Sequence, residues 1–323
     1  MPRRYVNQLA ERDSVDQIFL VADKQLRANR QGNFYLQLRL ADKTGSITGM
    51  LWNASEKLYG SLENQNYLRV QGSTQVHNGI LQMIVTRVEP VQSSEVEESD
   101  FQTVSSVETD KLASRLAEML RGVKNVHLRS LAECFLMDDA FMAKFTAAPA
   151  GVKNHHAYKG GLLEHVVSLM EVCLVVGPRY KDIDGDLLLL GAFLHDAGKI
   201  DELTYDKDLG YSDEGQLIGH VVMGVSMVEE KGRQAAALSG DEFPRELLLR
   251  LQHMVVSHHG EYEFGSPKLP MTLEAIALHH LDNLDAKLYS AVQAMKEDVN
   301  SDSNWTSYNQ AMGRKFFRGG KEE

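Results

Sequence analysis

The sequence predicts a multidomain chain in which an all-β barrel at the N-terminus precedes an all-α helical bundle. Three observations carry that expectation. Apolar residues alternate with period two between Val15 and Pro90, an acidic segment without Lys or Arg fills 91–110, and beyond it apolar residues recur at helical spacing. The barrel is therefore placed in residues 1–90, a solvated linker in 91–110, and the helical domain with a C-terminal tail in 111–323. With 43% hydrophobic and 24% charged residues, a chain of 323 residues can bury a core in each part, which excludes disorder.

In the barrel, Leu36, Leu38 and Leu40 alternate with Tyr35, Gln37 and Arg39, as a half-buried strand requires. Asp42-Lys43-Thr44-Gly45 turns the chain into a second strand, Ser46 to Trp52, and Glu56 to Leu62 reads as a short helix. His77-Asn78-Gly79 carries the Asn-Gly hairpin signal and joins the stretches Tyr67 to Gln75 and Ile80 to Val88. About five strands with one helix after the third suit a small closed barrel of the OB type.

The formal charge of -11 argues against nucleic acid only until its distribution is considered. Residues 1–90 hold 11 Lys and Arg against 8 Asp and Glu, whereas the remainder holds 23 against 37. OB barrels bind single strands by combining basic side chains with exposed aromatic platforms. Arg27, Arg30, Phe34, Tyr35, Arg39, Trp52, Tyr67 and Arg69 supply both types here. Any one of them also fits an ordinary core or surface position, so the ensemble carries the expectation.

Beyond the linker, helices are expected at Asp110 to Met119, Val126 to Phe135, Gly161 to Val175, Asp186 to His195, Gly219 to Lys231, Pro244 to His258 and Met271 to Val299. Gly198 and Gly260 follow helix ends, while Pro244 and Thr272 stand where helices begin. Cys134 and Cys173 are the only cysteines and form no CxxC motif, which excludes a disulfide framework or a thiolate zinc site and fits the reducing cytoplasm. The opening MPRRYVNQLAERDSVD has no apolar core, and no run reaches the roughly 18 apolar residues of a membrane span. No membrane is expected.

Ten of the twelve histidines lie between positions 155 and 280. In order, His165, the pair His195-Asp196, His220, the pair His258-His259 and Asp282 each fall on or at the end of a different expected helix. Imidazole and carboxylate donors without thiolates suit Mn, Fe, Co, Ni or Zn, and an Asp beside a His can bridge two ions. Two ions about 3.5 to 4 Å apart can hold an attacking hydroxide and stabilise the leaving oxygen of a phosphoester. Phe193-Leu194-His195-Asp196 sets two ionisable groups directly after an apolar run, where burial without a partner is costly.

This ordered H, HD, H, HH, D pattern resembles the HD-domain metal-dependent phosphohydrolases, and the strings HHAYKGGLLEHV, FLHDAGKI, GHVVMG, SHHGEYEFGSPKLP and ALHHLDNLDAK sharpen the resemblance. Together with FYLQLRLADKTGSITGMLW in the barrel, the chain resembles the YhaM-type 3'-5' exoribonucleases along nearly its whole length. The resemblance implies that His165, His195, Asp196 and Asp282 bind one divalent ion. Asp196 would bridge to a second ion held by His220 and His258, with His259 as a further ligand candidate, and manganese is the metal the family suggests. Lys199 would neutralise a phosphate oxygen as charge develops. His155 and His156 would meet the RNA end, and His279 would orient Asp282.

The expected function is removal of nucleotides from the 3' end of single-stranded RNA, giving 5'-mononucleotides. Single-stranded DNA enters as a second substrate, because a groove that stacks bases need not read the 2'-hydroxyl. A homo-oligomer stays open. The alternatives are an HD phosphohydrolase acting on a small nucleotide, with the barrel regulatory, and a nucleic-acid-binding module whose HD residues are relics.

Overall fold

The structure is a computed structural model that describes residues 3–29, 32–62, 65–77, 79–97, 100–101, 106–152, 158–205, 209–298 and 303–319. Two compact units result, one built on 1–103 with 290–323 and the other on 104–205 with 210–289.

In the first unit, strands β1 (Ser14–Ala28), β2 (Phe34–Asp42), β3 (Gly45–Trp52), β4 (Tyr67–His77) and β5 (Ile80–Val91) close a barrel in the order β1-β2-β3-β5-β4, and helix α1 (Glu56–Leu62) follows β3. The β3–β5 pairing is parallel and the others are antiparallel, an OB-type closure. The period-two pattern points Leu36, Leu38 and Leu40 inward against Phe19, Leu68 and Met83, leaving Tyr35, Gln37 and Arg39 on the outer face. Asn78, which carries the hairpin signal, lies outside the described residues.

The acidic stretch after β5 is not wholly extended and solvated. Phe101 is buried, its ring 4.9 Å from that of Tyr67 and beneath the Arg3 guanidinium, while Asp100 accepts from the Tyr5 hydroxyl at 2.6 Å. An isolated aromatic among acids finds a partner on the barrel, so Tyr67 serves packing rather than a stacking platform. Helix α2 (Ser106–Arg121) then starts inside the expected linker.

The second unit holds α2, α3 (Val126–Leu136), α4 (Asp139–Ala147), α5 (Gly161–Val176), α6 (Gly185–Leu194), α7 (Lys199–Glu202), α8 (Asp213–Leu217), α9 (His220–Ser239), α10 (Arg245–Ser257) and most of α11 (Leu273–Glu297). A two-stranded ribbon, β6 (Leu203–Thr204) with β7 (Gly210–Tyr211), interrupts the otherwise helical architecture. Against expectation, one stretch, Gly161–Arg179, is long and apolar enough to cross a membrane by length and composition. Its Leu162, Leu163, Val166, Leu169 and Met170 are buried in the helical core, which accounts for its hydropathy without a bilayer. Helix α6 is apolar on every side, with Leu187 through Leu194 all buried. His195, which caps its C-terminal end, is thereby delivered into the protein interior.

Candidate metal centre and nucleic-acid face

Five helix segments bring the expected metal ligands together in two groups. His165 lies in the first turns of α5, His195 caps the end of α6, and Asp282 projects from α11; donor atoms of these three fall within 4.8 Å of one another. His220 opens α9, and His258 and His259 end α10, forming the second group by the same measure. Asp196 stands between them. Its Oδ2 lies 3.2 Å from His195 Nε2, and its Oδ1 lies 3.5 Å from His220 Nε2 and 3.6 Å from His258 Nε2.

The backbone explains these positions. At Gly198 a Cβ would stand 2.1 Å from the carbonyl oxygen of His220, so only glycine lets the start of α7 approach the start of α9. Gly260 combines a φ of +79° with the His279 ring 2.0 Å from where a Cβ would be, and it ends α10 so that His258 and His259 face the cluster.

Each Nδ1 tether sets an imidazole with Nε2 inward. His195 and His258 donate from Nδ1 to the carbonyls of Ala192 at 2.8 Å and Val255 at 2.7 Å. His165 donates instead to the Asp285 carboxylate at 2.8 Å, and His220 to Glu202 Oε1 at 2.8 Å. Glu202 Oε1 also accepts the backbone N–H of His220 at 3.0 Å. Carboxylates behind metal-binding histidines fix the tautomer and raise donor strength. Neither Asp285 nor Glu202 is among the site residues expected from the sequence. Asp285 was signalled by its spacing of three from Asp282 on one helix; Glu202 had no local signal, because its partner is 18 residues away. His279 donates to the carbonyl of His258 at 2.8 Å, so it steadies the His258–His259 turn instead of orienting Asp282.

The donor set fits divalent cations. Among the described residues, Asp196 Oδ1, His220 Nε2 and His259 Nδ1 are buried without hydrogen-bond partners, a cost that a cation would remove. Donors on one ion, each about 2.0 to 2.2 Å from it, stand about 3 to 3.5 Å apart; His165 Nε2 is 3.4 Å from His195 Nε2 and 3.3 Å from Asp282 Oδ1. Burial raises the Asp196 and Asp282 carboxyls, but Lys199 and His195 beside the first, and His165 beside the second, override it and hold both below the ordinary range. Burial, with His258 and His220 nearby, pushes His259 down to about 3, so this imidazole is a neutral donor. Burial disfavours the charged form of His165, yet hydrogen bonds to Asp282 and Asp285 push it up to about 9.

Lys199 reaches the cluster, with its ammonium donating at 2.7 Å to both Asp196 Oδ2 and the carbonyl of Ala150. Its ammonium is thus shared between the central carboxylate and a backbone carbonyl. His155 and His156 lie outside the described residues.

On the barrel, the register sets Arg27 opposite Tyr35 and Tyr35 opposite Trp52, forming one row across three strands on the outer face. The Tyr35 and Trp52 rings are 5.2 Å apart, and Trp52 is 48% exposed, leaving a ring face for a base. Arg39 follows four residue pairs along, opposite Thr48, and exposed Phe34 begins β2. Arg69 is not part of this row: it lies on β4 and forms a two-pronged ion pair with Asp16 at 2.7 and 3.1 Å. Arg30 lies outside the described residues.

A helical domain with two His/Asp donor groups, in a chain that also has an OB barrel, defines an HD-domain protein with an attached nucleic-acid-binding module. Residues 162–287 match the HD domain family, and residues 20–91 match the OB-fold nucleic acid binding domain. The chain is 33% identical over 285 residues to the 3'-5' exoribonuclease YhaM of Bacillus subtilis, covering 88% of each chain. It is 32% identical to the protein of that name from a Geobacillus species, covering 88% of this chain and 86% of that one. It belongs to the YhaM family.

Proposed function

We propose that this chain is a metal-dependent 3'-5' exoribonuclease that trims single-stranded RNA to 5'-mononucleotides. The observation that carries the reading is the division of Asp196, one carboxylate oxygen toward each donor group. His165, His195, Asp196 and Asp282 would hold one divalent ion, and Asp196, His220, His258 and His259 a second; these ligand types accept Mn, Fe, Co, Ni or Zn, and Mn is proposed on the family resemblance alone. Such ions supply Lewis-acid neutralisation of a phosphodiester and lower the pKa of a water.

The chain's own groups do the rest. Asp196 and Asp282 stay ionised, the Nδ1 tethers keep each Nε2 aimed inward, and Lys199 holds Asp196 Oδ2 in place. Arg27, Tyr35 and Trp52 stack and neutralise the strand, with Arg39 and Phe34 extending the face. His155 and His156 are proposed to meet the terminal nucleotide. Water attack on the last phosphorus breaks its bond to the 3'-oxygen of the penultimate nucleotide. The shortened strand leaves with a 3'-hydroxyl and the released nucleotide keeps the 5'-phosphate. Nothing in an aromatic row reads the 2'-hydroxyl, so single-stranded DNA is proposed as a second substrate. The two free, buried cysteines support a cytoplasmic setting.

A denaturing-gel time course on 5'-labelled single-stranded RNA tests this reading, with Mn2+ or chelator and with wild type or Asp196→Ala. A ladder shortening stepwise from the 3' end, only with metal and the intact Asp, supports it. RNA left uncut under every divalent ion, with a small nucleotide hydrolysed instead, overturns it.

A further inference from the structure

The C-terminal residues 303–319 place their side chains against the usual preference. Trp305 pairs with Phe317 and Asn309 with Arg314 across a short hairpin. The polar Thr306 is 3% exposed and accepts the backbone N–H of Phe316 at 2.9 Å, whereas Trp305, Phe317 and Tyr308 are 50%, 55% and 59% exposed. The base of the hairpin is fastened, since Asp298 accepts from the backbone N–H of Ser307 and pairs with Arg318 at 2.9 Å. A segment held by buried polar contacts while presenting large aromatics to solvent is built as a contact surface, not as a core.

Its charge and place indicate the occupant. Residues 303–319 contain three Lys or Arg and no acid, in a chain of net charge -11. Among the described residues, neither Arg314 nor Lys315 forms an ion pair, and both are exposed. The Trp305 and Phe317 rings are 5.0 Å apart on one face of the hairpin, the same combination of paired aromatics and cations found in the Tyr35–Trp52 row. The hairpin belongs to the barrel unit, and the Ser307 hydroxyl lies 3.3 Å from where a Cβ on Gly79 would stand, beside the β4–β5 turn. That turn is one of the loops through which OB barrels hold nucleic acid strands.

We propose that the C-terminal hairpin is a second single-stranded RNA platform, on which Trp305 and Phe317 stack bases while Arg314 and Lys315 neutralise phosphates. The barrel and hairpin together would hold a longer strand than the barrel alone. This rests on the reading of the chain as an RNA-trimming enzyme. The test is fluorescence anisotropy of 5'-labelled oligoadenylate in chelator, across a salt series, with the full chain. Trp305→Ala/Phe317→Ala is expected to weaken binding about tenfold. Arg314→Gln/Lys315→Gln should flatten the log–log salt dependence by about 1.4, at about 0.7 per phosphate contact on single strands. The second pair, exposed and changing charge alone, decides the matter where loss of the aromatics disorders the hairpin.

Wild-type affinity and salt slope in both tail variants, with Tyr35→Ala/Trp52→Ala weakened, overturns the hairpin proposal and leaves the exoribonuclease reading intact. A wild-type chain that binds no RNA overturns both. If the tail substitutions abolish a concentration-dependent self-association and leave RNA binding unchanged, the face joins subunits and the proposal fails.

Discussion

His165 donates from Nδ1 to the Asp285 carboxylate at 2.8 Å, with Asp282, three residues earlier on the same helix, 3.3 Å from its Nε2. One turn of α11 thus addresses both nitrogens of one imidazole. Glu202 does the same orienting work for His220 in the other donor group. Removing either carboxylate should loosen one ring without deleting a proposed ligand. Asp285→Ala and Glu202→Ala are each expected to weaken Mn2+ binding about 10- to 100-fold. Calorimetric titration checks this, and Asp285→Asn should recover part of the loss because its amide oxygen can still accept from Nδ1. Unchanged affinity in both Ala variants would contradict the orienting role.

Lys199, 13% exposed, pairs with the buried Asp196, and its removal leaves that carboxylate with only its imidazole neighbours. Lys199→Met should lower metal-free stability by about 3 to 5 kcal/mol. Added Mn2+ should restore more stability to the variant than it adds to wild type, because a cation then neutralises Asp196. Thermal melting with and without Mn2+ measures the difference; an equal increment in both proteins would argue against it.

Glu274 and Arg250 offer a pH-dependent contribution away from the cluster. Glu274 accepts from the Arg250 guanidinium at 2.7 Å and from the backbone N–H of Asp184 at 2.9 Å. Burial raises its carboxyl, yet these bonds leave it below the ordinary value of 4.5. A folded-state pKa below the unfolded one stabilises the protein above the unfolded value, and the contribution drains away as pH falls through the folded value. Glu274→Gln should therefore cost about 1 to 3 kcal/mol at pH 7. Urea denaturation at pH 7 and near pH 3 should show the gap narrowing in acid; a gap independent of pH would contradict the assignment.

Burial pushes the Cys173 thiol up to about 12 and raises Cys134 as well. The thiolate is the reactive form, so the native protein should resist a chromogenic disulfide reagent at pH 8. After denaturation both cysteines should react. Rapid labelling of the native chain would show that α3, which carries Cys134, or α5, which carries Cys173, does not pack as described.

Much of this architecture is legible in one dimension. Alternation in 34–42 exposes the inner and outer faces of β2, and Glu56–Leu62 is recovered with its bounds. Helix α4 escapes detection because nine residues give little more than the Phe141/Phe145 spacing, although Asp138 accepts from the Phe141 N–H as its cap. The proposed ligands announce themselves through residue type and order. Their supports do not: Asp285 meets His165 across 120 residues, and Lys199 meets the carbonyl of Ala150 across 49. Phe101 shows the same limit, since its burial depends on Tyr67 and Arg3 rather than on the acids around it.

Asp196 is proposed to serve two metal positions at once. Counting bound manganese per chain by elemental analysis, in wild type and Asp196→Ala after equilibration and removal of free ion, tests it most directly. About two ions are expected in wild type and fewer than one in the variant, with the fold retained by circular dichroism. Equal metal content in the two proteins, or a single ion in a wild type that still trims RNA, would contradict it.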